Sequence, residues 1–125
     1  MPAEQLHKIQ STLQELVTSF EKHPRGDYCA QFNLAGAESP WVQVVADEIN
    51  FFYPFDDDPS VRLKTLAIPP APSMHCVSWK PGTYVTLELD DMVDLKWLVR
   101  FIDGLFTSLF GCGPGYEIDA EVSIL

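Results

Sequence analysis

From Tyr28 to Tyr53 the chain reads YCAQFNLAGAESPWVQVVADEINFFY, and this stretch decides the fold. Tyr28, Ala30, Phe32 and Leu34 alternate with Cys29, Gln31 and Asn33, the period-2 pattern of a half-buried strand. Gly36 to Pro40 is a turn, and Trp41 to Val45 is a short run rich in β-forming residues. Ala46-Asp47-Glu48 then makes a tight connection into Ile49-Asn50-Phe51-Phe52-Tyr53. Short strands with turn punctuation predict an antiparallel meander.

Working toward the N-terminus, Leu6, Ile9, Leu13, Leu16, Val17 and Phe20 recur at helical spacing. Glu4, Lys8, Gln14, Glu15 and Lys22 occupy the other face, and Pro24-Arg25-Gly26 ends the helix.

Toward the C-terminus, Asp58 suits a helix N-cap and Pro59 the first helical position, so a short helix runs through Leu66. Pro69-Pro70-Ala71-Pro72 stops it as an extended connector. Met74 to Trp79 and Thr83 to Leu89 form a hairpin around the Lys80-Pro81-Gly82 turn. Asp90 and Asp91 cap a long helix with a double apolar stripe, Trp97/Leu98, Phe101/Ile102, Leu105/Phe106 and Leu109/Phe110. Gly111-Cys112-Gly113-Pro114-Gly115 terminates that helix.

A final strand places Tyr116, Ile118, Ala120, Val122 and Ile124 on one face and Glu117, Asp119, Glu121 and Ser123 on the other. The expected fold is α+β: an antiparallel sheet packed by two long helices and one short one, in the order α-β-β-β-α-β-β-α-β.

The 125 residues suit one domain over 1–125, and 46% hydrophobic composition is enough for one core. With 8 basic against 18 acidic side chains the net charge is −10, which repels phosphate backbones and anionic lipid. Neither nucleic acid nor a membrane surface is an expected partner. The opening Met1-Pro2-Ala3-Glu4-Gln5 lacks the pattern of a secretory signal, and no apolar run approaches the ~20 residues of a membrane span. Cys29, Cys76 and Cys112 are odd in number and well separated, as expected of reduced thiols in the cytoplasm.

Residue types that carry chemistry are present in the wrong arrangements. Asp56-Asp57-Asp58 begins like a calcium loop, yet Val61 and Ala67 stand where that loop needs glycine and glutamate. A solvated loop ending in a helix cap accounts for it, and no metal is expected. Adjacent strand residues point to opposite faces, so His75 and Cys76 cannot share an ion. None of the cysteines sits at a helix N-terminus or beside a basic cluster. The glycine-rich run at 111–115 follows a helix and precedes a strand, the reverse of a phosphate loop. Glu88, Asp90 and Asp91 fall at a strand-to-helix junction where capping explains them. Neither catalysis nor a cofactor is expected.

Phe51-Phe52-Tyr53-Pro54-Phe55 puts large rings on both faces of a strand. One arrangement sandwiches them between the helices and the proline segment. The other leaves rings for a partner, with Phe51, Tyr53, Phe55 and Trp41 as anchors, since aromatic residues dominate protein interfaces.

The element order, size and acidity resemble the small acidic chaperones of bacterial type III secretion and related chaperone-like domains. At residue level the resemblance rests on Trp41-Val42-Gln43-Val44, Leu87-Glu88-Leu89-Asp90 and the apolar Leu98 to Phe110 helix. It implies a homodimer that holds an extended partner segment, with dimer contacts on the middle helix at Val61, Leu63 and Leu66. The strand from Tyr116 to Leu125 and the Pro69 to Pro72 insertion depart from that pattern.

The expectation is a non-enzymatic cytosolic protein-binding module, chaperone-like, that combines aromatic burial with strand pairing along an open sheet edge. The alternative is an acidic inhibitor or immunity protein that blocks a basic toxin enzyme. Asp56 to Asp58 or the Glu117/Asp119/Glu121 face would then supply the contacts.

Overall fold

The computed structural model describes residues 3–23, 25–45, 48–68, 74–89, 95–113 and 115–124. Its elements follow the expected order: α1 (Ala3–Lys22), β1 (Tyr28–Leu34), β2 (Trp41–Val45), β3 (Glu48–Phe52), α2 (Pro59–Thr65), β4 (Met74–Lys80), β5 (Tyr84–Leu89), α3 (Leu95–Gly104) and β6 (Ile118–Ile124). A π turn, Leu105–Leu109, continues α3. The expected helix stop at Pro24, the connection at Ala46-Asp47, the Pro69 to Pro72 connector and the caps Asp90 and Asp91 lie outside the described residues.

All strands join one six-stranded antiparallel sheet in the order β4-β5-β3-β2-β1-β6. The meander β1-β2-β3 forms its centre, β5 joins beyond β3, and β6 returns to the far side of β1. Cross-strand partners put Ala30 and Phe32 level with Val44 and Val42, and these with Ile49, Phe51, Leu87 and Val85. Every one of these eight side chains is buried, together with Ile9, Leu13 and Leu16 of α1, Leu63 of α2 and Leu98, Phe101 and Ile102 of α3. The helices therefore pack on this face. Enclosing each larger side chain contributes about 1.5–3 kcal/mol.

α2 begins as its sequence dictates, with Asp58 Oδ1 accepting from the Ser60 N–H at 2.9 Å and Pro59 at the first position. It ends in two carbonyl-capping bonds, Ile68 N to Leu63 O (2.8 Å) and Ala67 N to Lys64 O (3.1 Å). That ending puts Ala67 at φ 59°, where glycine is the usual occupant. Ile68 then packs beneath α3 at Gly104, where an added Cβ would lie 3.1 Å from Ile68 Cγ2.

Several boundaries shift by a residue or two from expectation, and three differences have a clear physical reason. The apolar doublets of the last helix step by four residues, so around an α-helix they precess by about 40° per step. The wider π turn, closed by Phe110 N–H to Leu105 O at 2.8 Å, counters that drift, and Leu105, Phe106 and Leu109 are all buried. Tyr53 lies beyond β3, its N–H reaching Thr83 O at 3.2 Å. Tyr116 precedes β6: its ring stacks on Phe106 with centroids 5.4 Å apart, and its hydroxyl donates to Asp103 Oδ1 at 2.6 Å.

Candidate functional site

Residues of opposite parity on the same strands make the second face of the sheet. The register lines up Glu121, Gln31, Gln43, Asn50, Thr86 and Ser78 across all six strands. On one side of this row, Asp119 opposes Asn33, Asn33 opposes Trp41, and Phe52 opposes Tyr84. Trp41 stands one step beyond the Val42–Phe51 pair, on the strand beside Phe52. On the other side, Cys29 opposes Val45, Val45 opposes Glu48, and Glu48 opposes Glu88. The face is thus an amide strip with Trp41, Phe52 and Tyr84 along one flank and Glu48, Glu88, Asp119 and Glu121 around it.

Most of these groups are half-buried or exposed; Trp41 and Tyr84 have no ring contact among the described residues, whereas the Phe52 ring meets that of Phe110, just past the π turn, with centroids 6.2 Å apart. Only part of the hydrogen-bonding capacity is used internally. Thr86 Oγ1 donates to Asn50 Oδ1, Gln31 Nε2 donates to Asn33 Oδ1 at 3.0 Å, and Ser78 Oγ lies 3.1 Å from the Tyr84 hydroxyl. The Gln43 amide has no hydrogen-bond partner among the described residues. At the β1/β6 end a groove of about 340 Å³ is lined by Gln31, Asn33, Glu38, Asp119 and Glu121. Asn33 Nδ2 donates to Glu38 O at 2.7 Å and the Gly36 N–H to Asp119 Oδ2 at 3.2 Å, which ties the β1–β2 loop to β6.

The fold redistributes the expected anchors. Phe51 and Tyr53 have no exposed surface and belong to the chain's own core, so neither offers a ring to a partner. Phe55 is half-buried, packed on Tyr53 and covered by the Arg62 guanidinium at 3.7 Å. Trp41 alone of the four stands on the open face. Parity was the available signal for Phe52, because it falls out of step with Val42, Val44, Ile49 and Phe51. Alternation within β5, where Tyr84, Thr86 and Glu88 fall out of step with Val85 and Leu87, likewise marked Tyr84, but its place beside Phe52 needed the β3–β5 register. On α2, Val61 is 61% exposed and Leu66 is half-buried, whereas Leu63 is 1% exposed and is occupied within the core.

The acidic run is mostly committed to internal bonds. Asp57 accepts from Arg62 Nε at 2.9 and 3.1 Å and pairs with Arg62 Nη2 at 2.9 Å; the Tyr53 hydroxyl also reaches its Oδ1 at 2.9 Å. Hydrogen bonds from Arg62 hold the Asp57 carboxyl below its ordinary range, while burial and Asp57 raise the Tyr53 phenol. With Asp58 capping α2, this brace fixes the loop into that helix.

Comparison of the chain with protein-family models, curated proteins and solved structures gives no match. The site's own chemistry therefore carries the functional reading. Among the described residues, no group of three or more His, Cys, Asp or Glu could hold a metal ion. Burial pushes the Cys29 thiol up, with Glu121 adding to the effect, and burial likewise raises Cys76 and Cys112. What the arrangement offers is flat contact area, free amide donors and acceptors, and negative charge.

Proposed function

We propose that this protein is a non-enzymatic, chaperone-like binding module of the cytoplasm that holds a segment of another protein against the open face of its sheet. The observation that supports this most directly is the Trp41/Phe52/Tyr84 flank beside a half-satisfied amide strip. Rigid rings supply contact area at low entropic cost, and the amides supply adaptable hydrogen bonds. Free cysteines accord with a reducing compartment. Self-association through the exposed Val61 and the half-buried Leu66 of α2 belongs to the same proposal.

The test is affinity capture from a lysate of the encoding organism, run in parallel with the wild type and a Trp41→Ala/Tyr84→Ala variant. A protein retained by the wild type and lost by the variant is the expected result. Identical capture profiles would remove the open face from the account. Four carboxylates around that face favour a second reading, an inhibitor that plugs a basic enzyme site. Capture of one basic enzyme that salt releases would select it.

A further inference from the structure

We infer that the outer edge of β6 accepts an extended partner segment as a seventh strand, and that this segment alternates basic with apolar residues. The inference rests on the protein-binding reading and names where and how the partner joins.

The ladder to β1 fixes which backbone groups of β6 point outward. Ala35 N–H bonds Glu117 O at 2.9 Å, so residues 117, 119, 121 and 123 face β1, and Ile118, Ala120, Val122 and Ile124 present theirs to the outside. At Ile118 those groups are already taken: its N–H bonds Gln5 Oε1 at 3.0 Å and its carbonyl accepts from Lys8 Nζ at 2.8 Å. Among the described residues, the outward groups of Ala120 and Val122 have no partner. The edge is therefore sealed at one end by α1 and open along the rest. The opposite edge is different, because the register shift between Cys76 and Ser78 interrupts β4, a device that blunts an edge.

Side chains beside the open edge specify the occupant. Toward the open face stand Asp119 and Glu121, both exposed, unpaired with any cation among the described residues, and bordering the 340 Å³ groove. Toward the helix side stand Ala120 and Val122, half-buried, and Ile124, 79% exposed. An added strand meets carboxylates on one side and aliphatic surface on the other, so every second residue must be basic and those between apolar. A second copy of this chain fits poorly. Pairing β6 with β6 would bring Asp119 and Glu121 of two molecules of net charge −10 together.

The probe is a capped peptide as long as β6 that alternates lysine with valine, compared with a peptide of the same composition in which the lysines are grouped. Amide exchange of the unaltered protein should slow at Ala120 and Val122 in the presence of the alternating peptide. Val122→Pro removes one outward donor without touching the β1 ladder, and should weaken binding about tenfold. Asp119→Asn/Glu121→Gln should flatten the salt dependence of binding. Unchanged exchange at Ala120 and Val122, or equal binding of the grouped peptide, would overturn the inference, as would slowed exchange that appears with dimerisation of the protein alone. If Val122→Pro binds the peptide normally while Trp41→Ala/Tyr84→Ala loses partner capture, the edge fails and the open face stands. If Val122→Pro loses the peptide while capture survives Trp41→Ala/Tyr84→Ala, the edge stands and the open face fails.

Discussion

Phe51 and Phe52 carry the same side chain one residue apart, yet Phe51 is wholly buried against Phe101 of α3 while Phe52 lies half-buried on the opposite face beside Tyr84. The pair stands for the whole sheet. Residues of one parity meet helices and build the core; those of the other parity, Cys29 and Thr86 apart, are half-buried or exposed and present amides, rings and carboxylates. Hydrophobicity alone does not assign the role. Parity against the buried valines of β2 does.

The widest separation between the two faces should appear in stability. Phe51→Ala removes a fully enclosed ring and should cost about 3–5 kcal/mol. Phe52→Ala should cost about 1 kcal/mol, the worth of its ring contact with Phe110. Urea denaturation of both variants checks this, and equal losses would break the distinction between the faces.

A smaller effect is expected where the core meets the acidic loop. Tyr53→Phe keeps the buried ring but removes the hydroxyl bonded to Asp57, for a loss of about 1 kcal/mol in the same assay. An opposite change of similar size is expected at α2. Ala67→Gly relieves the left-handed backbone and should gain about 0.5–1 kcal/mol, read as a raised urea midpoint.

The least effect belongs to the exposed half of the brace. Arg62 lowers the Asp57 carboxyl, so the stabilisation exists above the ordinary carboxylate pKa and is lost as pH falls through the lowered value. Asp57→Asn should therefore differ from wild type in urea midpoint at neutral pH and converge with it in acid. A gap that persists in acid would assign the brace to packing instead of charge.

Much of this was legible in the residues. Strand β6 shows clean alternation because one of its faces packs on the core, and Asp58-Pro59 announces the start of α2. Strand order was not legible, because β6 finds β1 across most of the chain and β5 finds β3 across α2. The assignment of rings was harder still. Phe51-Phe52-Tyr53 is aromatic at every position, so these three residues carry no parity of their own, and the buried set emerges from Glu48-Ile49-Asn50 before them and from Val42 and Val44 aligned beside them. Asp57 looked like one more solvated carboxylate. Its role depends on Tyr53 and Arg62 arriving from the two sides of the same loop.

The most direct test of the central claim is hydroxyl-radical footprinting of the protein with and without its captured partner. The account predicts protection at Trp41, Phe52 and Tyr84, with Val61 and Trp97 on the helix side unchanged. Protection confined to Val61, Leu66 and Trp97 would contradict it, and would move the binding surface to the other side of the molecule.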